Sequence, residues 1–107
     1  MLKLFVSLPM KDKTEGEIRT KQKELLAEIK NRNLYADKDI VLINTFLNED
    51  APKGLLDNQI GLWYLGKSLE LLAQADIAIF ATGWARARGC VIEHQACISY
   101  GIDTLYE

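Results

Sequence analysis

Proline is scarce in this chain, with two residues among 107, and histidine is limited to His94 and cysteine to Cys90 and Cys97. The cysteines fall seven apart on a stretch that reads as one helix. By helical rise they are roughly 10 Å apart, too far to bridge, so they read as small buried thiols. Long apolar runs are missing: stretches such as Ile40 to Ile43 and Ile77 to Ala81 fall far short of the ~20 residues that cross a bilayer, which excludes a membrane partner. Lys11, Asp12 and Lys13 interrupt the first apolar segment too early for a secretory signal, and a cytoplasmic location is the expectation. No dense basic run exists, and 13 Lys and Arg against 15 Asp and Glu give a formal charge of −2, which argues against duplex nucleic acid as partner. Neither a full dinucleotide fingerprint nor a phosphate-loop lysine motif is present. What remains is an ordinary globular mix, 49% hydrophobic and 26% charged with seven Gly, in a length suited to one small domain.

Leu2 to Leu8, ended by Pro9, reads as the first strand. Thr14 and Glu17 form a capping box for a helix carrying Ile18, Gln22, Leu25, Leu26 and Ile29 and running to about Asn33. Ile40 to Ile43 reads as a strand buried on both faces. The aperiodic stretch from Phe46 to Asp57 reads as a lid. Leu62, Leu65, Leu69 and Leu72 make one apolar stripe on a helix over Asn58 to Gln74, despite the propensity cost of Gly66. Trp63 falls on its other side with Lys67, Glu70 and Gln74, either meeting a neighbouring subunit or covering a ligand. Ile77 to Ala81 is a third strand, Thr82 to Trp84 a turn, and Gly89 to Tyr100 a third helix stopped by Gly101. Ile102 to Tyr106 completes the alternation. The expected fold is therefore α/β, three-layered and flavodoxin-like or Rossmann-like, with four or at most five parallel strands in the order 2-1-3-4.

In such a sheet ligands bind outside the carboxyl ends of the strands, which selects Ser7 to Met10, Asn44 to Asp50 and Thr82 to Glu93. Glu93 is one turn inside the third helix on the face of Gly89, Ala96, Cys97 and Tyr100. A carboxylate there is partly desolvated yet near the positive helix end, usable as nucleophile or base; the plainer alternative is an acid favoured by the helix dipole alone. His94 points about 100° away and is assigned a surface or edge role. A zinc site from Cys90, His94 and Cys97 lacks an evident fourth ligand, so no metal is expected. Arg86 and Arg88 read equally as phosphate ligands or as solvated charge.

The run Gly83-Trp84-Ala85-Arg86-Ala87-Arg88-Gly89-Cys90-Val91-Ile92-Glu93-His94-Gln95-Ala96, followed by Tyr100-Gly101-Ile102, resembles the nucleoside 2-deoxyribosyltransferase-like superfamily, and within it a small bacterial and phage branch. Phe5-Val6-Ser7-Leu8-Pro9-Met10 is similar to the family's first strand and Ser-Gly-Pro-Met turn, with Leu8 in place of Gly. Val41-Leu42-Ile43-Asn44-Thr45 resembles its second strand and Asn-Pro end, with Thr45 in place of Pro. The resemblance implies a glutamate, here Glu93, that attacks the anomeric carbon of a 2-deoxynucleoside and forms a glycosyl ester resolved by water or a second base. It further implies that Ser7, Pro9 and Met10 line the sugar or phosphate end, Asn44 touches the ligand, and Gly83, Trp84 and Gly89 shape the wall. Ser68 and Arg88 join the binding set. Two positions depart from the family pattern: Ser68 stands where an acid is common, and Ala87 where Ser or Asp is common.

The expected function is thus cleavage or transfer of the N-glycosidic bond of a 2-deoxynucleoside or its monophosphate, without a cofactor. Arg86, Arg88 and acids of the lid then compensate for Ser68 and Ala87. The alternative is a nucleotide-binding or sensing module without turnover. A homo-oligomer is expected, since a short domain has little surface with which to enclose a ligand, and a third reading is an interaction domain in which Trp63 and Tyr64 form a homomeric contact.

Overall fold

Leu4, Val6 and Leu8 alternate with Phe5 and Ser7, so the first strand presents apolar side chains to both faces and must be covered on both. A computed structural model, which describes residues 1–32, 35–46 and 49–107, realises this arrangement. The element order is β1 (Leu2–Ser7), α1 (Glu15–Lys30), β2 (Ile40–Leu42), α2 (Asp57–Leu72), β3 (Ile77–Phe80), a 3₁₀ turn (Trp84–Arg86), α3 (Arg88–Tyr100) and β4 (Asp103–Tyr106). The four described strands are all parallel, in the order β2-β1-β3-β4. The fold is the flavodoxin-like three-layer α/β arrangement, and among the described residues no helix is long and apolar enough to cross a membrane.

The two faces carry separate cores. Leu4 and Val6 of β1, Ile77 and Ile79 of β3 and Ile40 of β2 pack under Ile18, Leu25 and Ile29 of α1. On the opposite face Phe5, Ala78 and Phe80 pack under Leu72 of α2 and Cys97 of α3. Strand parity therefore sends Ser7, two residues beyond Phe5, toward α2 and α3 at the carboxyl end of the sheet.

α1 starts as its capping box requires: Thr14 Oγ1 accepts from the Glu17 amide at 3.1 Å, and Glu17 Oε1 accepts from the Thr14 amide at 3.3 Å. The helix closes at Lys30, and the expected end near Asn33 lies outside the described residues, as does Asn48 of the expected lid. At the far end of the chain, Glu107 pairs with Lys21 and accepts from the Thr82 amide, joining α1 to the segment after β3.

Three expectations need correction. β2 is an edge strand with Ile40 packed under α1 and Val41, on the opposite face, exposed, because α2 and α3 cover the middle of the sheet and not this edge. The leucine stripe of α2 does not face the sheet as a whole: only Leu72 is buried, Leu65 and Leu69 are half-buried, and Leu62 is 66% exposed. On α3, Tyr100 leaves the buried face, since the helix ends there and Gly101 turns the chain at φ 70° toward β4.

The capping box is local and exposed, so its contribution is separable from packing. Thr14→Ala is expected to lower unfolding free energy by about 1 kcal/mol, a Tm loss of several degrees, with two-state unfolding retained; an unchanged denaturation midpoint contradicts this.

Candidate functional site

β1 ends at Ser7, and β2 and β3 leave it on opposite sides, so the chain diverges where the strand order reverses. A cavity of about 320 Å³ opens there. Its floor is the end of β1, with Phe5 through Leu8 and Met10. Thr45, Phe46, Glu49 and Asp50 form one wall, and Tyr64, Ser68 and Leu71 of α2 the other, with Glu93 of α3 inside.

Glu93 is 6% exposed, and both of its carboxylate oxygens are engaged. Ser7 Oγ donates to Oε1 at 2.7 Å and Ser68 Oγ donates to Oε2 at 2.5 Å. Desolvation raises the Glu93 pKa above the ordinary carboxylate value, and the Ser68 and Ser7 hydroxyls oppose the rise by favouring the charged form. Each carboxylate oxygen keeps a further lone pair, so the group remains able to attack or to accept a proton. Beneath it, burial pushes the Cys90 thiol up, with the Ser7 hydroxyl beside it acting in the opposite sense and the Glu93 charge adding to the rise. Among the described residues no buried side-chain nitrogen or oxygen lacks a partner.

The walls are held from outside. Gln22 of α1 is buried and donates Nε2 to Thr45 Oγ1 at 2.9 Å, and the Arg19 guanidinium sits 4.2 Å over the Phe46 ring. Lys67 on α2 reaches Glu49 at 3.6 Å and Glu70 at 3.7 Å.

A second cleft, about 700 Å³, lies beside the first between the segment after β1 and the start of α3, and Met10 borders both. Pro9, Met10 and Lys11 form one side, and Gly83, Arg86, Ala87, Arg88 and Gly89 the other. Gly83 adopts φ 91°, a left-handed turn that favours glycine, and Pro9 lies in ordinary contact distance across the cleft.

Of the residues the sequence singled out, Ser7, Met10, Ser68 and Glu93 meet at the first cavity, while Pro9, Gly83, Arg88 and Gly89 meet at the second with Met10. Asn44 joins neither. It is exposed, and its Oδ1 accepts from the Phe46 amide at 3.1 Å, so it shapes the turn that carries Thr45 and Phe46 into the wall. Trp84 is also elsewhere: the 3₁₀ turn folds it onto His94 at 4.2 Å and edge-on to Phe80 at 5.5 Å, in an aromatic cluster that includes Tyr106. His94 thereby has its edge role, with Nε2 2.6 Å from the Tyr106 hydroxyl. Among the described residues no three His, Cys, Asp or Glu side chains converge as a metal site.

Thr45, Phe46, Glu49 and Asp50 come from the Asn44 to Asp50 segment that the sequence selected, whereas Tyr64 and Leu71 were not singled out as site residues. A signal for these two existed, since Tyr64, Ser68 and Leu71 follow one another at i, i+4 and i+7, but the leucine stripe on the neighbouring face outweighed it. No family model, no curated protein and no solved structure matches the chain.

Because the fold raises the Glu93 pKa, the folded chain binds that proton more tightly than the unfolded one. The stabilisation is complete below the unfolded carboxylate value of 4.5 and lost as pH rises through the raised folded value. Glu93→Gln is therefore expected to be more stable than the parent at neutral pH, with the gap closing on acidification. Thermal unfolding across a pH series checks this; a variant that is less stable at neutral pH contradicts it.

Proposed function

We propose that this chain cleaves or transfers the N-glycosidic bond of a 2-deoxynucleoside or its 5′-monophosphate, with Glu93 as nucleophile. The observation that carries the reading is a desolvated carboxylate, gripped by two hydroxyl donors, facing a ligand-sized cavity at the carboxyl end of β1. One Glu93 oxygen attacks C1′ of the deoxyribose, the C–N bond breaks, and its electron pair leaves with the base, which takes up a proton. Glu49 and Asp50 are the acids bordering the cavity that can supply it. Water or the nitrogen of a second base then attacks C1′ of the glycosyl ester and frees the carboxylate.

Burial aids this step because the carboxylate loses its charge as the ester forms, so the desolvation penalty is relieved on the way to the transition state. Ser7 and Ser68 hold both oxygens in place, which limits the rotation that would carry Glu93 off line. The monophosphate is favoured by the second cleft, where Lys11, Arg86 and Arg88 have no carboxylate within ion-pair distance among the described residues.

A second reading, nucleotide binding without turnover, is favoured by a specific observation: among the described residues no second carboxylate hydrogen-bonds Glu93, and Glu49 is drawn toward Lys67.

Incubation with deoxynucleosides and deoxynucleoside monophosphates is expected to release free base, and Glu93→Gln to reduce the rate by at least about a thousandfold. The rate is expected to be bell-shaped in pH, rising as the desolvated Glu93 ionises, since only the carboxylate attacks, and falling as the acid that protonates the leaving base loses its proton. Saturable binding in calorimetry with no base released over long incubation supports the second reading instead. Turnover that survives Glu93→Gln removes this residue from the mechanism.

A further inference from the structure

α1 turns one stripe of side chains toward the sheet, Ile18, Gln22, Leu25 and Ile29, and Gln22 is its one polar member. Gln22 is 3% exposed, as buried as the apolar residues on either side of it that form the core with β1 and β3. An amide in such a place costs stability unless it is hydrogen-bonded, and a leucine there would continue the stripe without that demand. Packing alone therefore does not account for glutamine at this position.

What the amide reaches is the rim of the Glu93 cavity. Its Nε2 donates to Thr45 Oγ1 at 2.9 Å, and Thr45 lines that cavity. Thr45 stands past the end of β2, where the sheet no longer separates the α1 side from the side of α2 and α3, so it meets Gln22 behind and the cavity in front. Three residues earlier on α1, Arg19 holds the next residue of the wall, with its guanidinium 4.2 Å over the Phe46 ring. Two neighbouring side chains of α1 thus fix a hydroxyl and a ring in succession.

An amide nitrogen can only donate, so the Thr45 oxygen accepts and its own proton is left over. Among the described residues no hydrogen bond uses that proton. The hydroxyl is also particular to this chain, because the resembled family carries proline at this position.

We infer that Thr45 is a ligand-binding residue whose hydroxyl donates to an acceptor atom of the molecule seated against Glu93, and that Gln22 is the positioning residue that acts through it. The inference rests on the reading of this cavity as a deoxynucleotide site. A deoxynucleotide presents acceptors at the sugar ring oxygen and at the ring nitrogens and carbonyls of its base. A donor held in place before the ligand arrives loses little freedom on binding, which is what the buried amide contributes.

The probe is whichever 2-deoxynucleoside 5′-monophosphate of the four common bases the full chain binds most tightly, titrated by calorimetry in the Glu93→Gln background to prevent turnover. Thr45→Val keeps the branched shape and removes the hydroxyl; it is expected to weaken binding about tenfold, and Thr45→Ser to stay within about twofold of the parent. Gln22→Leu is expected to weaken binding several-fold while its Tm equals or exceeds the parent's, since an apolar side chain suits the core. Gln22→Met, closer in shape, is expected to behave alike. Adding Gln22→Leu to Thr45→Val is expected to cost nothing further, as befits a residue that acts only through the other.

Unchanged affinity in Thr45→Val overturns the inference, as does a Gln22→Leu loss that adds in full to that of Thr45→Val. A Gln22→Leu protein that loses Tm but keeps its affinity makes the amide a structural tie and overturns its positioning role. Base release by the chain with Glu93 intact that is indifferent to Thr45→Val sinks this inference alone, whereas Thr45-dependent affinity without base release sinks the glycosidic chemistry alone. Absence of binding of all four monophosphates, with Glu93 or with Gln at that position, overturns both.

Discussion

The burial of one carboxylate between two hydroxyls is the constraint around which the carboxyl end of this sheet is arranged. Glu93 loses most of its hydration on α3, and Ser7 from β1 and Ser68 from α2 replace that hydration with two directed donors. Three elements are thereby tied at one point, and each must hold its register for the bonds to form. A single hydroxyl would leave one oxygen without a protein donor, and a second acid at position 68 would add like charge beside the first. The serine at that position, a departure from the resembled family's pattern, is thus part of what allows the carboxylate to stay charged.

α2 carries unequal demands on its two flanks. Toward the sheet it supplies Tyr64, Ser68 and Leu71 to the cavity, yet it anchors itself with Leu72 as its only buried residue. Half-buried Leu69 and Leu71 pack beside Leu72 against the same core, and this packing rather than propensity holds the helix.

The support around the cavity is asymmetric as well. The wall after β2 is braced by α1, through Gln22 on Thr45 and Arg19 over Phe46, whereas the opposite wall belongs to α2. The cationic cleft beside Met10 lies at the start of α3, where the helix dipole and three basic side chains act in the same direction. The 3₁₀ turn after β3 sends Trp84 into the aromatic cluster with Phe80 and His94, leaving the cleft to small and charged residues.

Short-range chemistry made much of this fold legible in the sequence. The Thr14–Glu17 box, the apolar runs of β1 and β3 and the Gly101 stop depend on neighbours a few residues away, and each lies where local rules put it. The place of Glu93 on an inward face followed from helical periodicity in the same way. How far each ridge of α2 is covered did not follow, since both are periodic: Leu72 is buried while Leu62 on the same ridge and Tyr64 on the other are exposed. Nor were the partners of Glu93 readable as such: Ser7 and Ser68 stand 86 and 25 residues away, and a hydroxyl becomes a donor to a particular carboxylate only when the strand order brings the two within 3 Å. Local propensity and periodicity determined the elements and their order; tertiary packing decided their contacts, because burial is a property of the surface a residue meets and not of the residue itself.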